Sequence, residues 1–219
     1  MRAVAVIGRK GGSGKTTVAV HLAIGLERRG RRTVLADTDP QRSSMEVLRA
    51  RVDTCPTPVA SSGAKLFALK TALIREGVQS LVIDTPAVLE EEVAHAVVLS
   101  DLALLVVRPT FLDLAAAVRT SEIIRRLRKP GLVVLNQAPT SRDNVEPALV
   151  VRSLDALRML RLPVAPVTLR TRLAYQTVLE SGRSVEELTP ETMATREMSS
   201  FCDYIDRFMF GETRLAPTA

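Results

Sequence analysis

An α/β domain with a mostly parallel central sheet, covered by helices on both faces, is the fold class this sequence predicts. Short apolar runs alternate with longer segments of helical period, the order expected of βαβ units. The 219 residues are 46% hydrophobic, enough for one large core and better suited to one domain than to two. Aromatic residues make up only 3% and Trp is absent, so Leu, Val, Ile and Ala must fill the interior, as is common in sheets buried on both sides.

Taken in order, strands are expected at 3–8, 33–37, 80–84, 102–107, 132–136 and 163–168, each a brief run rich in Val, Leu, Ile or Ala. Helices are expected near 15–29, 41–50, 64–76, 89–99, 112–128, 145–160, 172–180 and 190–210. The Pro- and Ser-rich stretch 55–63 reads as a loop, since Pro56 and Pro58 argue against a central strand. Residues 1–210 form the domain in this reading, and 211–219 a flexible C-terminal tail. The first strand opens the chain, which leaves no N-terminal helix-turn-helix domain in the expected architecture.

Composition narrows the class further. No window approaches the roughly 18 apolar residues of a membrane span, and the apolar N-terminus runs too soon into a glycine loop to act as a signal peptide. Cys55 and Cys202 are the only cysteines and lack metal-ligand spacing, so a reducing cytoplasm is the expected location. Twenty-five Arg and five Lys against 24 acidic residues give a formal charge of +6, compatible with phosphate-rich partners. His21 and His95 both fall inside expected helices, and nothing is placed to form a nucleophilic triad.

Directly after the first strand stands Arg9-Lys10-Gly11-Gly12-Ser13-Gly14-Lys15-Thr16-Thr17. Glycines let backbone N–H groups turn inward around an anion, and the following helix contributes its N-terminal donors and dipole. Lys15 can then reach the β- and γ-phosphates, and the Thr16 hydroxyl can ligate Mg²⁺. Carboxylates follow where later apolar runs stop: Asp37 and Asp39 in Asp37-Thr38-Asp39-Pro40-Gln41, and Asp84 in Asp84-Thr85-Pro86. A magnesium nucleotide site needs acids at such strand ends.

The loop has Arg9 where an ordinary Walker A motif has its first glycine, and Lys10 follows. It resembles the deviant Walker A motif of the ParA/MinD family of P-loop NTPases, and looks most like the short partition ATPases (ParF-like) without a DNA-reading domain. The resemblance covers roughly residues 1–190. It implies ATP/ADP and Mg²⁺ as cofactors, bound by Gly11, Gly12, Ser13, Gly14, Lys15, Thr16 and Thr17. It also implies that Lys10 reaches across a dimer interface to the partner's nucleotide, that Asp39 positions the attacking water near Mg²⁺, and that Asp84 binds Mg²⁺ through a water. Asn136, ending the strand Leu132-Val133-Val134-Leu135-Asn136, matches the residue that binds adenine. Pro109, in Arg108-Pro109-Thr110, matches a loop lying over the base.

The expected activity is slow, partner-stimulated hydrolysis of ATP, and the expected assembly an ATP-dependent homodimer. Resemblance to the family implies non-specific DNA binding, a nucleoid-associated location in a bacterial-type cytoplasm, and a ParB-like or cargo-adaptor activator. Arg125, Arg126, Arg128 and Lys129 cluster at one helix end, and Arg152, Arg158, Arg161, Arg170 and Arg172 follow. MinD-like relatives instead bind lipid through a basic terminal helix. Here Phe201, Tyr204, Ile205, Phe208 and Met209 form an apolar stripe opposite Asp203, Asp206 and a single Arg207, which favours a docked helix over a membrane anchor. A P-loop metabolic ligase lacks a recognisable acceptor site here, and an iron–sulfur reductase uses cysteines soon after the second acidic strand, whereas Cys55 precedes Asp84 and Cys202 lies near the end.

Overall fold

Every strand of a sheet covered on both sides must bury alternate residues against opposite layers, and this sequence supplies apolar side chains for both. The computed structural model describes residues 1–87, 90–141, 143 and 145–211; the tail expected at 211–219 lies, beyond Gly211, outside them. The order is β1 (Arg2–Ile7), α1 (Lys15–Arg28), β2 (Thr33–Asp37), α2 (Ser43–Arg49), β3 (Thr57–Ala60), α3 (Leu66–Arg75), β4 (Ser80–Asp84), α4 (Glu90–Leu99), β5 (Leu102–Val107), α5 (Phe111–Arg126), β6 (Gly131–Leu135), α6 (Ala148–Arg158), α7 (Ala174–Thr177) and α8 (Met193–Phe210). The six strands pair in parallel in the order β3-β2-β4-β1-β5-β6, with β1 at the centre.

Val4, Val6, Leu35, Val82, Leu104 and Val134 face one layer, packed with α1, α7 and α8. Ala5, Ile7, Ala36, Ile83, Leu105 and Val133 face the other, packed with α3, α4, α5 and α6. A one-residue slip of any strand would exchange the two sets, so the register is pinned from both sides.

Two expected elements differ. The stretch read as a loop contains β3, whose Thr57, Pro58, Val59 and Ala60 pair with Val34–Asp37 of β2. It is an edge strand and only partly buried, which is where a proline is tolerated. Conversely, the strand expected at 163–168 does not form. Val164 makes an isolated bridge to Val133, and the Leu169 and Thr171 amides reach Leu135 and Ala138 at 3.0 and 2.8 Å. Pro163 and Pro166 lack the N–H groups that a continuous ladder would require.

The apolar stripe of α8 faces inward. Phe201 and Ile205 are fully buried and Met209 nearly so, and burying each large side chain contributes about 1.5–3 kcal/mol. Asp203 and Asp206 pair with Arg29 and Arg31 at 2.8 Å, and Arg29 also donates to the Ser199 carbonyl and Glu186. The helix is thus a docked element of the core. No described helix is long and apolar enough to cross a membrane.

His21 lies wholly buried in α1, its Nδ1 2.9 Å from the Thr17 carbonyl oxygen and its Nε2 without a partner. Burial lowers its pKa from 6.5 to about 4. Between those values the unfolded chain binds a proton that the folded chain refuses, so stability is complete above pH 6.5 and declines as pH falls toward 4. Urea unfolding is expected to show a loss on the order of 3 kcal/mol from this group across that window. His21→Leu should lack that share, and an unchanged pH profile in the variant would remove His21 as its cause.

Candidate nucleotide site

The predicted site residues gather at the carboxyl ends of the strands, the end at which open α/β sheets bind ligands. β1 delivers the glycine loop, β2 delivers Asp37 and Asp39, β4 delivers Asp84, and β6 delivers Asn136. The ends of β2 and β4 are tied together, because the Thr38 amide and hydroxyl both donate to the Asp84 carbonyl oxygen, at 3.0 and 2.8 Å. Thr85 ties β4 to β1 through the Val6 carbonyl at 2.9 Å.

The loop curls because Gly14, at φ +89°, adopts the left-handed conformation immediately before α1. A Cβ at this position would come within 2.3 Å of Asn136 Nδ2, so the position requires glycine for space as well as for conformation. Lys15 opens α1 and is buried, with Nζ donating to the Lys10 carbonyl at 3.4 Å. Burial lowers its pKa, while the negative charges of Asp84 and Asp39 oppose the shift. The ammonium thus sits where an additional anion would repay its desolvation.

Asp84 is 1% exposed, and neither carboxylate oxygen has a hydrogen-bond partner of good geometry. Burial and the nearby charge of Asp37 push its pKa up to about 7, while the adjacent Thr16 and Ser44 hydroxyls act in the opposite direction. Ser13 Oγ and Ser44 Oγ are buried and unpartnered as well. Unsatisfied polar groups at such depth are expensive. A hydrated magnesium ion with phosphate oxygens supplies the charge and partners that these groups lack, so the residues fit a magnesium nucleotide. Asp37 is already engaged, receiving the Asp39 and Met45 amides at 3.0 and 3.2 Å. It shapes the turn, whereas Asp39 gives one oxygen to the Gln41 amide at 2.9 Å and keeps the other available.

Asn136 stands behind the loop, and its Nδ2 donates to the Ser13 carbonyl at 2.8 Å. This leaves one N–H and the amide oxygen as a donor–acceptor pair. A pocket of about 90 Å³ opens beside it, lined among others by Thr17, Gln137, Leu169, Tyr175 and Met198. Pro109 does not line this pocket. It is buried at the turn after β5, and the pocket's outer wall comes from 169–176 instead.

Three contributors carried no role in the sequence reading. Gln137 donates to the Gly12 carbonyl at 2.9 Å, bracing the loop beside Asn136. Arg108 pairs with Asp113 at 2.9 Å and reaches the Gly11 carbonyl at 3.4 Å. Ser44 faces Asp84 from α2. Only the position of Gln137, next to Asn136, offered a signal.

The basic surface is less uniform than the sequence implied. Arg170 pairs with Glu146 at 2.6 Å and Arg172 with Glu197 at 2.5 Å, so both are committed within the fold. Arg158 pairs with Asp155 on its own helix. Arg125, Arg126 and Arg128 are exposed and form no ion pair among the described residues.

Residues 4–184 match the family described as the CobQ/CobB/MinD/ParA nucleotide binding domain. Proteins of similar sequence include the maintenance of carboxysome distribution protein A of Gloeobacter kilaueensis, 31% identical over 191 residues that cover 84% of this chain and 83% of that protein. The protein of the same name from Halothiobacillus neapolitanus is 28% identical over 192 residues, covering 84% and 87%. Among solved structures, a Cyanothece McdA–ATP complex aligns with a TM-score of 0.78 at 16% identity, covering 99% of this chain and 98% of that one. The Pyrococcus furiosus cell division ATPase MinD aligns at 0.74 and 20% identity, covering 94% and 98%. The structures share the fold and the sequence match spans most of the chain, so this protein belongs to the CobQ/CobB/MinD/ParA family of nucleotide-binding domains.

Proposed function

We propose that the chain is an ATP-hydrolysing switch that forms an ATP-dependent sandwich dimer, binds DNA without reading its sequence, and positions a plasmid, chromosomal locus or protein cargo. The observation that carries this reading is the two-lysine phosphate loop. Lys15 is buried against Asp84 and Asp39, while Lys10 is only half-buried and has no ion-pair partner among the described residues. One lysine serves the protomer's own nucleotide; the other is left for that of a second copy.

In this reading Gly11, Gly12, Ser13 and Gly14 hold the phosphates with backbone and hydroxyl donors, and Thr17 and Asn136 flank the base. Thr16 and Asp84 hold Mg²⁺, which neutralises phosphate charge when bound. Asp39 orients a water toward the γ-phosphate, and Lys15 together with the Lys10 of the second copy stabilises the charge that develops there. No strong base assists, so turnover is slow until an activator arrives. A ParB-like protein or cargo adaptor fills that role, and relatives named for carboxysome distribution favour an adaptor. The dimer acts in the bacterial cytoplasm on the nucleoid, with the exposed Arg128 and Arg161 facing phosphates. The buried stripe of α8 disfavours the lipid-bound alternative.

Random-sequence duplex DNA is the test ligand. Binding is expected with ATP and not with ADP, and is expected to weaken steeply as salt rises, with a log–log slope of about −0.9 per phosphate neutralised. Absence of binding in an ATP-trapped dimer would remove DNA as the matrix.

A further inference from the structure

We propose that the cleft between α4 and α5, beside the phosphate loop, is a docking groove for an acidic peptide segment of a partner protein. The cleft, of about 720 Å³, is lined by Arg9, Arg119, Arg125 and Arg126 together with Glu90, Glu122 and Ile123. Arg119, Glu122, Ile123 and Arg126 recur at the i, i+3, i+4, i+7 spacing that places them on one face of α5. Arg119, Arg125 and Arg126 are exposed and form no ion pair among the described residues.

Two features separate this groove from a surface for nucleic acid. Glu90 and Glu122 stand among the arginines, so a phosphate backbone, charged at every step, would meet both as like charges, whereas a peptide can set its carboxylates against Arg119, Arg125 and Arg126 alone. The groove shares Arg9, Glu90 and Ile123 with a small, mainly apolar slot of about 20 Å³ that Gly8, Ala87, Val93 and Thr120 complete, with room for about one methyl group. A peptide with carboxylates spaced around a Leu or Val side chain satisfies both; a phosphate backbone satisfies neither.

Arg9 links the groove to the nucleotide loop. It precedes Lys10 and pairs with Glu90 at 2.5 Å, at the first turn of α4. A carboxylate entering the groove competes with Glu90 for that guanidinium, so docking bears on the residue next to Lys10. The docking itself requires neither ATP nor hydrolysis, and it therefore stands apart from the proposed switch.

The test uses the full chain with ADP at low salt and a short fluorescein-labelled peptide of glutamates around a central Leu-Leu pair. Saturable binding is expected, about tenfold weaker in Arg119→Glu and unchanged in Arg152→Glu on α6. Random duplex DNA, measured with ATP, should bind both variants as it binds the native chain. No saturable peptide binding, or equal binding by Arg119→Glu, would overturn the proposal. Loss of DNA rather than peptide in Arg119→Glu would assign the groove to nucleic acid. Circular dichroism checks that the exposed substitutions leave the fold intact.

Discussion

Lys10→Ala is expected to bind ATP within about threefold of the native chain yet remain monomeric in ATP. Its side chain has no ion-pair partner among the described residues, so truncation exposes no buried charge within the protomer. In a two-fold dimer each substitution acts twice. Truncating a charge that contacts phosphate across an interface costs about 2–5 kcal/mol per contact. The pair therefore weakens dimerisation by about a thousandfold or more. Light scattering after gel filtration, with ADP and with ATP, reads the result. A Lys10→Ala protein that dimerises with ATP as readily as the native chain would assign the loop's first lysine to its own nucleotide, and the sandwich would need another explanation.

The second large effect is expected at Asp39. Asp39→Ala should lower ATP turnover by roughly 100-fold or more while leaving the ATP dimer intact, and so lengthen its lifetime. Only one of its oxygens is engaged, by the Gln41 amide, and Asp37 independently holds the turn through the Met45 amide. The loop should therefore survive the substitution. Single-turnover hydrolysis separates this outcome from a binding defect. Native-like turnover would exclude Asp39 as the residue that orients water and turn attention to Asp37.

The site was legible wherever a chemical group ends an apolar run. Asp37, Asp84 and Asn136 each follow four or five buried strand residues, so the sequence placed them at the carboxyl edge of the sheet without reference to contacts. The partners that brace them were hidden because they meet across long separations: Gln137 and Gly12 lie 125 residues apart, and Asn136 and Ser13 lie 123 apart. Propensity misled at both ends of the sheet. β3 is short, partly exposed and carries Pro58, so nothing in it alternates clearly. The 163–168 run has the right composition, but two prolines leave it with bridges in place of a ladder. Which arginines are spent in ion pairs was equally invisible, because Glu146 and Glu197 reach Arg170 and Arg172 only through the fold.

Asn136 carries two obligations at once, since one of its hydrogens holds the Ser13 carbonyl and the remaining amide faces the pocket beside it. On the proposed reading, in which Asn136 also contacts the base, a lineage that altered this side chain to accept a different base would loosen the anion cradle in the same step. Drift at this position is therefore penalised twice, and a change of nucleotide preference is more accessible from the 169–176 wall, where a substitution can remodel the pocket without touching the loop.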